Sequence, residues 1–67
     1  MKYQDRESEI VGAAVALVER LGFPAARARA DEMIAEWVIS TAPDAAEGLE
    51  AWSAIRAYVD SLEASAA

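Results

Sequence analysis

Neither cysteine nor histidine occurs among the 67 residues of this chain. Their absence excludes a disulfide framework and the usual ligands of a structural zinc site. It also removes the two side chains that most often serve as nucleophile or general base near neutral pH, which leaves only carboxylates lifted by burial. A chain this short cannot form both a core and a large pocket. We therefore predict a protein with no enzymatic activity, no cofactor, no metal and no small-molecule substrate.

Positive charge and long apolar runs are also scarce. Six Lys and Arg stand against twelve Asp and Glu, which gives a net charge of −6. Such a balance disfavours general binding to nucleic acid or to an anionic membrane. The longest apolar run, from Ile10 to Val18, is too short to span a bilayer, and the first residues lack the apolar core of a signal peptide. These features predict a cytoplasmic protein.

Apolar residues at helical spacing are what the chain does have. Hydrophobic residues make up 55% of the sequence, which is more than a disordered acidic chain carries. Between residues 5 and 21 they form two adjoining seams, which are Ile10, Ala14, Leu17, Leu21 and Val11, Val15, Val18. Gly22 is placed to end this helix in a left-handed conformation, and Pro24 to open the next one.

The spacing predicts an all-α fold, a small three-helix bundle with helices over about residues 5–21, 24–40 and 43–63 in one domain spanning 1–67. Asp5 is placed to cap the first helix, and Thr41 with Asp44 has the spacing of a capping box for the third. Gly48 indicates a short turn ahead of the main part of that helix. The predicted core is made of the large apolar side chains Leu17, Leu21, Met33, Trp37, Trp52, Ile55, Val59 and Leu62.

Charged residues on the second helix allow two specific hypotheses and one simpler interpretation. Glu32 and Glu36 lie one turn apart beside Asp31, so they could share a divalent cation. The arginines Arg20, Arg27 and Arg29 lie near the first corner, where a helix-turn-helix protein meets phosphate. The simpler interpretation is a solvated helix face, on which Glu19, Asp31 and Glu32 neutralise the arginines as intrahelical pairs. We favour this interpretation over DNA binding.

Negative charge is concentrated in the last part of the chain. Residues 42–67 hold five carboxylates and one arginine, for a net charge of −4. These carboxylates could imitate a row of phosphates and occupy a basic groove, or they could simply confer solubility. Glu47 and Glu50 are the candidates for contact with such a partner.

The first helix has more apolar surface than a three-helix bundle needs. One seam suffices to form the core. The second seam then has no neighbouring helix of the bundle to pack against, and it consists of Val11, Val15 and Val18. Three interpretations stay open, namely a core face, a homodimer interface that completes the bundle, and a surface for a different protein. We expect a contact surface, with self-association favoured.

Two segments carry a resemblance to a known group of proteins. These are residues 16–20 (Ala-Leu-Val-Glu-Arg) with Gly22, and residues 47–55 (Glu-Gly-Leu-Glu-Ala-Trp-Ser-Ala-Ile) with Asp60 and Leu62. Their pattern resembles a family of short helical proteins of alphaproteobacteria and their mobile elements, although this chain has a longer loop, with Pro43, between the second and third helices. The resemblance implies no functional residues. It implies a setting in which small acidic proteins act as inhibitors or adapters by binding a host complex, such as a nucleic-acid-handling defence nuclease.

Overall fold

Three helices form the chain: α1 (Lys2–Leu21), α2 (Phe23–Val38) and α3 (Ala45–Ala66). This computed structural model describes the backbone of residues 2–66 and the side chains of residues 7–66. No strand occurs within that range. The prediction of an all-α, three-helix protein is therefore confirmed.

Gly22 alone joins α1 to α2. Its φ of 84° and ψ of 166° lie in a region that is open to glycine and strained for any residue with a side chain. Its N–H donates to the Val18 carbonyl at 2.7 Å, and its carbonyl accepts from the Ala26 N–H at 2.9 Å. The same residue therefore ends one helix and begins the next. Pro24 follows in the first turn of α2, where no intrahelical N–H is needed.

The helix starts differ from the predicted ones. α1 begins at Lys2 instead of near residue 5, so Asp5 lies inside the helix and not at its cap. The side chain of Asp5 lies outside the described residues. α3 begins at Ala45 and passes through Gly48 without a break, so the predicted turn ahead of the main helix covers only residues 43–44 and does not extend to Glu47.

A serine hydroxyl stabilises the loop between α2 and α3 without capping α3. The Ser40 hydroxyl accepts from the Ala42 N–H at 3.2 Å. The Ala45 N–H then donates to the Ala42 carbonyl at 3.1 Å, which closes the turn just ahead of α3. Thr41 therefore does not occupy the cap position that its spacing predicts, because α3 starts four residues after it.

Gly48 is explained by the packing of a tryptophan. A Cβ placed on Gly48 would lie 2.7 Å from Cζ2 of Trp37, well inside van der Waals contact. The missing side chain thus lets the indole of α2 lie directly on the backbone of α3. This close approach offsets the helix propensity of roughly 1 kcal/mol that glycine forfeits relative to alanine.

The buried core is small and rich in alanine. It consists of Ala14, Ala26, Ala30, Ile55 and Val59. Small side chains let the helix backbones approach one another, and the larger apolar residues then pack around the contact points. Leu17 and Trp52 pack in this way, together with Ile10, Val18, Phe23 and Tyr58.

The predicted core is correct at its centre and wrong at one end. Ile55 and Val59 are buried, whereas Leu21 is 47% exposed. Leu21 is the last residue of α1, and the sharp turn at Gly22 carries the chain away before a neighbouring helix can cover it. Met33, Trp37 and Leu62 are half-buried at the margins of the core. The chain measures 38 × 31 × 17 Å along its principal axes, so its helices form a flattened body.

Candidate functional site

Ion pairs join α2 to α3 across the helix interface. Arg27 of α2 pairs with Glu63 of α3. Nε of Arg56 on α3 lies 2.8 Å from a carboxylate oxygen of Asp31 on α2. With the contact of Trp37 on Gly48, residue numbers rise along α2 as they fall along α3, so the two helices are antiparallel.

Two carboxylates share the guanidinium of Arg56. It donates to Asp31 on the neighbouring helix and to Asp60 one turn further along its own. The hydrogen bond to Asp31, followed by that to Asp60, raises the pKa of Arg56 above the ordinary arginine value. Because the pKa of Arg56 is raised on folding, the stability that it adds is fully present below the ordinary pKa of arginine. That stability is lost only as the pH rises through the raised pKa. This effect therefore brings no pH dependence near neutrality.

These pairs bear on both hypotheses drawn from the charged residues of α2. Arg29 pairs with Glu32 within the helix at 2.7 Å, as its spacing predicts. Arg27 and Asp31 instead pair across helices, which corrects the expectation that they neutralise charges on α2 itself. The same contacts engage two of the three carboxylates of the candidate cation site. Among the described residues, no group of three Asp or Glu side chains is placed to hold a metal ion.

The predicted contact surface on α1 divides between core and solvent. Val18 packs against the buried cluster, so it belongs to the bundle. Val11 and Val15 are half-buried. Beside them lie exposed small residues, and Glu7, Ser8, Val11 and Gly12 line an open depression on this helix. The predicted surplus seam is therefore reduced to two valines and a small-residue edge.

A larger apolar exposure lies at the far end of α2. Val38 is 62% exposed and Ile39 is 80% exposed. Ala35, also exposed, precedes them by three and four residues, so all three side chains are neighbours on the helix surface. We call these three residues the apolar corner. Half-buried Ile34, one turn before Val38, extends it toward the core.

The stretch of chain that holds the apolar corner is rich in carboxylates and contains no basic residue. Residues 30–55 contain six Asp or Glu and no Lys or Arg. Arginines from outside this stretch engage Asp31 and Glu32. Glu36, Asp44 and Glu47 are exposed, and the contact of Trp37 on Gly48 brings Glu36 and Glu47 to the same end of the molecule. No basic residue lies in the last turn of α2 to meet its C-terminal carbonyls.

Trp37, next to Val38 in sequence and packed on α3, has an unsatisfied donor. Its indole Nε1 is buried and has no hydrogen-bond partner among the described residues. A buried donor in this state costs about 1–3 kcal/mol. The stability gained by packing the indole on Gly48 is therefore partly offset by the buried N–H that has no acceptor.

The candidate acidic residues Glu47 and Glu50 lie at the same end of the bundle as the apolar corner. Glu47 is exposed in the first turn of α3, and Glu50 is exposed one turn later. Helical spacing puts Val38 one turn from Ile34, among other apolar residues of α2. The helix ends at Val38, however, so no neighbouring turn covers Val38 or Ile39. The lack of any basic residue between 30 and 55 was the one available signal for this surface.

Comparison with known proteins finds no matching family model, no matching curated protein and no matching solved structure. The resemblance to short helical proteins of alphaproteobacteria stays a prediction. Within residues 2–66, no helix combines the length and the apolar character that crossing a membrane requires.

Proposed function

We propose that this protein is a small acidic protein-binding module, which acts by docking on another protein and not by catalysis. The observation that carries the proposal is the exposure of the large apolar residues Leu21, Val38 and Ile39. Exposed apolar residues that are adjacent, as Val38 and Ile39 are, are typical of interaction sites.

The total surface supports the same proposal. The chain exposes 4676 Å². A compact monomer of 7.2 kDa is expected to expose about 4100 Å². The chain therefore exposes roughly 600 Å² more than a compact monomer of its mass. Docking would cover area that the alanine-rich core leaves open.

The acidic end suggests what such docking would achieve. Proteins that handle nucleic acid present basic surfaces to phosphate. A module with Glu36, Asp44 and Glu47 around an apolar corner is complementary to such surfaces in charge. We therefore extend the proposal to an inhibitor or adapter of a nucleic-acid-handling complex, as the family resemblance implies.

Affinity capture from the cells that make the protein tests the proposal. The bait is the whole chain, and the matched variant replaces Leu21, Val38 and Ile39 together by serine. These residues are exposed, so the variant should keep its circular dichroism spectrum and lose the captured partner. If the variant retains every partner at the same yield, or if the wild-type chain captures none, the proposal is wrong.

Self-association through α1 is the second candidate. Half-buried Val11 and Val15 next to exposed Gly12, Ala13 and Ala16 would let a second helix approach closely. Light scattering should then give twice the monomer mass at micromolar concentration, and Val15→Glu should restore the monomer with helicity intact. A monomer mass for the wild-type chain, together with unfolding of Val15→Glu, would assign these valines to the core instead.

A further inference from the structure

We infer that the apolar corner, Ala35, Val38 and Ile39, docks a basic amphipathic helix of a partner protein. The inference rests on the proposed function and names its surface and the chemistry of its partner. Two features of the structure carry it, namely the apolar exposure at the end of α2 and the sign of the charge around it.

The shape of the corner suits the apolar stripe of a helix. Its three side chains are neighbours at helical spacing, and Val38 and Ile39 are 62% and 80% exposed. Ile34, one turn before Val38, is half-buried and extends the patch toward the core. Side chains from one face of an incoming helix can rest on this patch and bury it, as in other helix-binding grooves.

Charge determines which helix can do so. Exposed carboxylates of Glu36, Asp44 and Glu47 lie at this end, in a stretch of sequence without any Lys or Arg. The last carbonyls of α2 add partial negative charge, and no basic side chain accompanies them. Lys and Arg flanking an apolar stripe would meet these groups, whereas acidic residues would be repelled.

The same charge disfavours a second copy of this chain as the occupant. A two-fold interface places each patch against itself. Two copies meeting here would bring Glu36, Asp44 and Glu47 of one against the same carboxylates of the other. Anionic lipid and nucleic acid would meet the same repulsion.

The test uses a labelled amphipathic peptide with Leu on one face and Lys on the other, and a matched peptide with Glu in place of each Lys. Fluorescence anisotropy should show that the whole chain binds the Leu–Lys peptide and not the Leu–Glu peptide. The double variant Val38→Ser/Ile39→Ser should bind at least about tenfold more weakly, as expected for loss of central apolar contacts. Glu36→Lys/Glu47→Lys should weaken binding comparably and reduce its dependence on salt.

Ala25→Ser/Glu19→Lys is the matched control, because it makes an exposed apolar residue polar and reverses an exposed carboxylate near Gly22, at the opposite end of α2. It should change affinity by less than about twofold, in line with a position outside the interface. Equal weakening by this control would show that the peptide binds by net charge alone and would overturn the inference. Wild-type affinity in Val38→Ser/Ile39→Ser with an unchanged circular dichroism spectrum would overturn it as well.

Capture from cells separates this inference from the proposed function. If Val38→Ser/Ile39→Ser still captures the native partner while Leu21→Ser loses it, the protein is a binding module that uses another face. The function then stands and the inference fails. If both the capture and the peptide experiments are negative, both fail.

Discussion

The α2–α3 pair and α1 are held to the bundle by different kinds of contact. Across α2 and α3, ion pairs join Arg27 to Glu63 and Arg56 to Asp31, and an indole lies on a bare glycine backbone. α1, over its residues 7–21, contributes apolar packing through Ala14 and the half-buried side chains around it.

This difference bears on which parts of the molecule can adapt. Charged pairs and a ring fitted to one glycine specify a single register of α2 on α3, because a shift of one residue would break each of them. Packing of small and β-branched side chains is less selective, since hydrophobic swaps of similar volume are tolerated in cores. We expect α2–α3 to be the rigid platform that holds the apolar corner, and α1 to be the more adjustable element.

The largest effect should come from the residues of α3 that serve both interfaces. Ile55 is 6% exposed and clusters with Ala14 of α1 and Ala26 of α2. Ile55→Ala should lower the free energy of unfolding by about 2–5 kcal/mol through lost burial and a residual cavity. Urea denaturation followed by circular dichroism measures this change.

Ile39→Ala is the control for that measurement, since Ile39 is 80% exposed. It should change stability by no more than about 0.5 kcal/mol. Equal costs at both positions would mean that Ile39 is covered in the isolated protein, and the apolar corner would not be free for a partner.

The two interfaces can be compared through a pair of glycines that lie inside helices. Gly48→Ala forces a methyl into the Trp37 ring and should destabilise the protein by about 1–3 kcal/mol, as overpacking does. Gly12→Ala meets nothing within 4 Å, so helix propensity alone should stabilise the protein by about 0.5–1 kcal/mol. Thermal unfolding of both variants measures the contrast. Stabilisation by both would show that the indole moves aside freely and that α2–α3 is not so closely fitted.

Much of the fold could be predicted from periodicity, and the pairing of side chains could not. Three helices are predictable from the apolar spacing and from Gly22 and Pro24, because these signals depend only on residues close in sequence. Ala14, Ala26 and Ala30 are buried because the helices cross close to them. A sequence-based prediction instead favours large side chains for the core and so does not select these alanines. The partners of Arg27 and Asp31 lie on another helix, so intrahelical spacing misassigns both.

The candidate site shows the same limit. The excess of carboxylates in the last part of the chain was visible in the sequence, and so was the surplus of valines on α1. The exposure of Val38 and Ile39 depends on where α2 stops, and helix ends are poorly determined by an apolar repeat. Val18 also packs against the buried cluster, so less apolar surface of α1 remains for a partner than the sequence predicts.

The smallest expected effect on stability belongs to the ion pairs. Measuring it shows how much the polar contacts contribute to holding α2 on α3. The side chains of Arg27 and Glu63 are 29% and 45% exposed, so solvent screens their attraction. A double-mutant cycle with Arg27→Gln and Glu63→Gln should give a coupling free energy of about 0.2–1 kcal/mol, reduced by added salt. The intrahelical pair of Arg29 and Glu32 is the matched cycle, with an expected coupling of about 0.2–0.5 kcal/mol. If the interhelical coupling is zero while the intrahelical one persists, the ion pairs do not hold α2 on α3. The contrast with α1 would then rest on Trp37 and Gly48 alone.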